Sequence, residues 1–390
     1  MMHSAAIAHT APVSGAVPST VGERLWSIHL TTLVVAGLIA AIGAALLYST
    51  SGGNFSPRAE AHIVRFLVGL GVVFLLTAIP LRSWLILAYP SYALCLALLA
   101  LVPFFGAEFG GSRRWLEVGP VTVQPSEFMK VAVVLATARY FQWVPTRRMS
   151  DPRFLLVPAL IVFAPIALVL PQPDLGTSVL LALSGLAILF LAGVSWWYFI
   201  GGGTMVLASL PFVWAQLHDY QRQRVLTFLE PERDPLNAGY QIFQAKIAFA
   251  AGGMNGKGFV QGTQSQLNFL PEKHTDFIFP MLAEEFGLVG TMTLLGLFAL
   301  LLVLLTIIAL SCRSHFARLL AGGAAALIFV HMFVNIAMVT GLIPVVGAPL
   351  PLVSYGGTSM LTIMLALGLA MNAHVHRHER FVRRDIGAVV

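Results

Sequence analysis

Long, nearly unbroken apolar runs separated by short polar breaks dominate the chain. They fall at about residues 25–48, 62–80, 84–105, 127–143, 154–171, 175–194, 196–216, 277–311, 317–343 and 358–375. Each approaches the ~20 residues that a helix needs to cross the hydrocarbon core of a bilayer. A spanning barrel would instead show short segments of alternating polarity. The pattern predicts an all-α polytopic membrane protein of about ten transmembrane helices, residues 24–376, with a large extracytoplasmic loop between helices 7 and 8. The run from 277 is long enough to tilt or to project beyond the bilayer. Residues 1–23 are small and polar, with Pro12 and Pro18, and lack the basic start and short apolar stretch of a signal peptide. They read as a disordered cytoplasmic tail. Residues 377–390 read as a second, basic one.

Composition supports the pattern: 57% of residues are hydrophobic and 10% charged, and the mean hydropathy is +0.83. A soluble domain carries roughly a quarter charged residues. The net charge of +6 is explained by topology rather than by nucleic acid. With both termini inside, the cytoplasmic pieces hold Arg24, Arg82, Arg147, Arg148, Arg153, Arg313, Arg318 and the tail arginines from Arg377 on, against Arg58, Arg113 and Arg114 in the short outer loops. That bias is the positive-inside pattern. Cys95 and Cys312 provide no disulfide framework and read as small buried hydrophobes. The outer connection 217–276 is also basic, with Arg222, Arg224, Arg233, Lys246, Lys257 and Lys273. Within it, Tyr240–Ala251 has the spacing of an interfacial helix. No internal repeat is visible.

The stretch Gly252–Glu285 is richest in chemistry. Gly252, Gly253, Gly256, Gly258 and Gly262 surround Lys257; such a loop can cradle a phosphate, or be only a turn. Asp276 follows Lys273, His274 and Thr275 where the loop enters a span. There a carboxylate can act as general base or cap the following helix. Glu284 and Glu285 lie two turns further on, at a depth where carboxylates are costly and are functional or paired. Glu127 and Lys130 share one helix face at i and i+3, as a supporting ion pair. Arg113 and Arg114 can clamp a phosphate or meet anionic headgroups. Asp174 reads as a helix cap, and Pro349–Ser359 as irregular backbone lining a cavity. The tail histidines His374, His376 and His378, among arginines, suit contact with anionic membrane lipids better than a metal.

Several of these stretches closely resemble the SEDS family. They are Asn237–Gln241, Gly256-Lys257-Gly258, Gln261–Ser265, Leu270–Phe277, Gln124–Glu127, Pro173–Thr177 and Pro349–Ser359. The wording before His274-Thr275-Asp276-Phe277 is similar to the RodA, elongation branch rather than to the FtsW, division branch. The resemblance covers about residues 25–375. It implies a ten-span peptidoglycan glycosyltransferase of the bacterial cytoplasmic (inner) membrane, using lipid II and releasing undecaprenyl pyrophosphate. It places the essential aspartate on Asp276 and the acid–lysine pair on Glu127 and Lys130. It also implies a class B penicillin-binding protein, a transpeptidase, as partner in an elongation complex. Lys257, Lys273, Arg113, Arg114, Gln261, Thr263 and Ser354 are the candidates for the pyrophosphate and sugars. A divalent cation (Mg or Mn) could add to that charge, and no organic cofactor is expected. The rival reading is a flippase for lipid II, which needs charges deep in a central cavity but no base at the outer boundary.

Overall fold

A computed structural model describes residues 20–109, 112–119, 121–172, 174–216, 222, 226–228, 230, 238–267 and 269–381. Most of both expected tails and much of the first half of the outer loop lie outside the described residues. The end of the N-terminal tail is not disordered as expected. Val21–Trp26 (α1) is a helix closed by a capping box, in which the Thr20 hydroxyl accepts from the Glu23 amide and Glu23 reaches back to the Thr20 amide.

Ten long helices match the ten apolar runs. They are α2 (Leu30–Thr50), α3 (Arg58–Ala78), α4 (Leu81–Phe105), α5 (Pro125–Gln142), α6 (Pro152–Val169), α7 (Leu175–Leu191), α8 (Trp196–Gln216), α11 (Ile278–Ser311), α12 (His315–Val339) and α13 (Gly357–Val375). Seven of them, α2, α3, α4, α6, α11, α12 and α13, are long and apolar enough by themselves to cross a membrane. α5 is less apolar because it carries Glu127, Lys130 and Arg139. Pro125 starts α5, and Pro152 starts α6 behind the Asp151 cap, at the one helical position where a missing N–H costs nothing. Asp174 caps α7, accepting from the Thr177 amide at 3.1 Å.

Two insertions interrupt the run of long helices. Between α4 and α5 the chain forms a three-stranded antiparallel sheet, β1 (Ala107–Phe109), β2 (Ser112–Val118) and β3 (Val121–Val123). Between α8 and α11 lie α9 (Ala238–Gly252), a helix over the stretch whose spacing suggested one, and the single turn α10 (Thr263–Gln266). α12 is central, packing against α5, α7, α11 and α13. Small residues permit this: a Cβ on Gly323 would lie 2.3 Å from Val134 Cγ1 of α5.

The long run from 277 breaks near its start. Gly287 sits at φ 62, ψ −157, backbone open essentially only to glycine. Ile278–Phe286 is thus a separate short helical segment, and Leu288–Ser311 is the span.

Candidate active site

The break at Gly287 explains the glycine-rich loop. In a continuous helix the Leu288 and Val289 amides would donate to the Glu284 and Glu285 carbonyls. They donate instead to Gly253 O (2.9 Å) and Met254 O (3.2 Å), while those two carbonyls accept from Lys257 N (2.9 Å) and Gly258 N (3.0 Å). The loop therefore splints the break by exchanging hydrogen bonds with it, and it must approach closely. A Cβ at Gly252 would lie 1.9 Å from Ala283 O, and one at Gly256 2.1 Å from Glu285 O. Two of the loop amides, those of Lys257 and Gly258, are thereby spent on helix carbonyls rather than offered to a phosphate.

Lys257 and Thr263, expected on substrate, have other partners as well. The Lys257 ammonium donates to Glu284 Oε1 at 2.7 Å and to Thr263 Oγ1 at 2.7 Å. Glu284, fully buried, also accepts from the Thr263 amide and hydroxyl, both at 2.9 Å, and from the Gln264 amide. These four donors offset the desolvation of one carboxylate. Glu285 is likewise buried and accepts from the Ser49 hydroxyl of α2. Glu284 is thus structurally paired, whereas Glu285 has the Ser49 hydrogen bond and no ion pair among the described residues. The Gln261 side chain stays exposed.

Asp276 is half-buried, and the capping position of α11 falls on Phe277, which makes no capping bond. The segment holding Asp276 is fixed through its backbone. Three consecutive carbonyls each accept one bond from afar: His274 O from Tyr355 N (2.8 Å), Thr275 O from the Ser354 hydroxyl (2.5 Å), and Asp276 O from Asn335 Nδ2 (2.8 Å). Ser354, expected on substrate, thus spends its proton on Thr275, and it accepts from Leu350 N at 2.8 Å. The loop before α13 carries strain, since the buried Leu352 has φ 61. Gly347 flanks the carboxylate; a Cβ there would lie 3.5 Å from Asp276 Oδ2.

Positive charge gathers on this side. Lys273 is buried and donates to Ser265 O, and burial with the nearby Arg58 charge lowers its pKa. His274 shares a hydrogen bond with Thr50 Oγ1 at 3.0 Å. Burial, with Arg58 and Lys273, pushes its pKa from 6.5 down to about 4, so it is neutral at pH 7. Arg65 of α3 stacks on the Tyr355 ring, 4.4 Å from its centroid, and donates to the Tyr355 hydroxyl at 3.2 Å. Because the folded His274 resists protonation, its contribution to stability is present above pH 6.5 and is lost as pH falls toward 4. Thermal unfolding of the detergent-solubilised protein is expected at lower temperature at pH 5 than at pH 7, with a smaller difference in His274→Gln.

The two arginines of the hairpin do not form a joint clamp. They are neighbours on β2, so their side chains leave opposite faces. Arg113 meets the exposed Glu108 at 3.8 Å, whereas Arg114 lies 3.7 Å from the buried Asp174 at the start of α7. Two residues on, Gly176 abuts Val346, where a Cβ would lie 1.9 Å from Val346 O. Arg114 is thereby connected, through Asp174 and Val346, to the Gly347 wall beside Asp276.

Glu127 and Lys130 pair as expected, at 2.7 Å and buried. Sequence reasoning missed the third member: His331 of α12 accepts from the Lys130 ammonium at 2.6 Å through Nε2 while Nδ1 faces Leu327 O at 2.8 Å. It also missed Asn335 and Arg65. The signal available for the first two was a pair of polar residues at i and i+4 inside an apolar run.

Among the described residues no three of His, Cys, Asp or Glu converge, and the oxygens of Glu284 are occupied as described. In the tail, His374 packs edge-on against His29 with centroids 5.1 Å apart, and His376 lies 3.9 Å from Glu379.

Comparison with known proteins places this geometry. The FtsW/RodA/SpoVE family model, described as cell cycle protein, matches residues 23–379. The "Peptidoglycan glycosyltransferase MrdB" of Escherichia coli (strain K12) is 45% identical over 360 residues, 91% of this chain and 96% of that protein. A chain from a solved peptidoglycan synthase complex, described as coordinating polymerization and crosslinking, superposes with TM-score 0.79 at 32% identity, covering 90% of this chain and 99% of that one. The crystal structure of the rod shape determining protein RodA of Thermus thermophilus gives 0.67 at 28% identity, covering 90% and 98%.

Proposed function

From the premise that the chain belongs to the FtsW/RodA/SpoVE family of cell cycle proteins and is a peptidoglycan glycosyltransferase, we propose that it polymerises lipid II during cell elongation with Asp276 as general base. The observation that carries this reading is the carboxylate at the outer boundary, on a segment whose three successive carbonyls are each tied to another element. Fixing a base in one geometry removes orientational entropy from the reaction.

In the step itself, Asp276 accepts the proton of the acceptor sugar hydroxyl as its oxygen attacks the anomeric carbon of the donor. The bond from that carbon to the pyrophosphate breaks, and undecaprenyl pyrophosphate departs with the electron pair. The negative charge on this leaving group needs cations already in place. Lys273 and Arg58 serve from the Asp276 side and Arg114 from the hairpin side. Arg113, facing the other way, does not take part. Arg114→Gln is therefore expected to lower polymerisation markedly and Arg113→Gln little, as read by gel analysis of glycan products.

The protein lies in the bacterial inner membrane with both termini cytoplasmic and the Asp276 loop outside. It works beside a class B penicillin-binding protein that crosslinks the new strand. The test is reconstitution of the purified protein and that partner with labelled lipid II. Glycan strands are the expected product. No polymer, with labelled lipid II crossing the vesicle membrane instead, would replace this reading with the flippase.

A further inference from the structure

We infer that Asn335 is the positioning residue for Asp276, an inference that rests on the base assignment above. Asn335 lies on α12 and is fully buried. Its carboxamide nitrogen donates both of its protons, one to Asp276 O at 2.8 Å and one to Ala348 O at 2.6 Å. The two acceptors belong to opposite sides of the site. One is the backbone of the base, and the other adjoins Gly347, the residue that flanks its carboxylate. A single planar amide thus sets the spacing between the base and the wall it faces.

Among side chains small enough to fit a closed interior, only a carboxamide offers two protons on one neutral nitrogen. A hydroxyl offers one, and an ammonium would bring an unpaired charge. The residue is also rigidly mounted. One helical turn earlier, His331 accepts from Lys130, so the buried Glu127–Lys130 pair fixes the same face of α12. The ion pair of α5 therefore acts on the reaction from a distance, by holding the helix that holds Asn335. Asn335 does not touch substrate; it acts through Asp276.

Three variants of the full-length protein, purified with its partner, test this: Asn335→Leu and Asn335→Asp, which lack the donor nitrogen, and Asn335→Gln, which keeps it. Misplacing a reacting group by about an ångström costs on the order of 100-fold in rate. The expected result is a loss of about 10–100-fold in kcat for the Leu and Asp variants, with KM for lipid II little changed and part of the rate restored in Gln. A Leu variant with natural kcat would overturn the proposal. So would a loss carried by KM, or failure of all three variants to fold, which would make Asn335 a folding residue only. If the natural sequence itself made no polymer, the base assignment would fail instead, and the two outcomes are distinguishable.

Discussion

Asp276→Asn is expected to reduce lipid II polymerisation by about 10²–10⁴-fold, the usual contribution of a positioned general base. The substitution keeps size and shape, and the backbone bonds that hold the segment all run to carbonyls, which Asn retains. The variant should therefore fold, bind its partner and show an unchanged unfolding temperature. Initial rates of glycan formation, measured with the natural sequence and the variant at equal concentration, decide the matter. Equal rates would remove Asp276 from the chemistry. The capping position belongs to Phe277, so a loss of activity without loss of stability would not be a lost cap.

Glu284→Ala is expected to have the opposite profile, a loss of the fold. It takes the carboxylate acceptor from the half-exposed Lys257 ammonium, which keeps only Thr263 Oγ1, and from the amides of Thr263 and Gln264. With the Lys257 side chain 31% exposed, the cost falls below the about 3–5 kcal/mol of removing one partner from a fully buried ion pair. The splint across the Gly287 break should loosen, and with it the approach to Asp276. Chemical unfolding in mild detergent should show the loss directly. Lys257→Met should destabilise less, because Glu284 keeps four donor contacts from Thr263 and Gln264. Were Lys257 a pyrophosphate ligand rather than a structural partner, its substitution would raise KM for lipid II and leave stability intact.

These two residues also show how far the chain could be read before folding. Asp276 and Glu284 are eight positions apart in one conspicuous stretch, and both carried open alternatives. The structure resolves them in different directions: the capping reading fails for Asp276, and a structural pairing accounts for Glu284. Lys257 moves with Glu284 from substrate candidate to splint. Ser354 moves likewise, because its hydroxyl proton is already committed to Thr275.

The sequence by itself determined the ten apolar helices, the insertions between the fourth and fifth and the seventh and eighth long runs, the helix Ala238–Gly252 and the place of Asp276 just before α11. Hydropathy and its period are local quantities, so a run of apolar residues reports its own length and environment. Tertiary structure alone decided which polar groups meet. The break at Gly287 looked like part of one long span because glycine is tolerated in transmembrane helices. His331 and Asn335 looked like isolated polar residues because their partners, Lys130 and the Asp276 and Ala348 carbonyls, come from other elements. The facing of Arg113 and Arg114 depended on β2, the unrecognised strand they sit on. A buried donor must find its acceptor wherever the fold brings one, and distance along the chain carries no information about that choice.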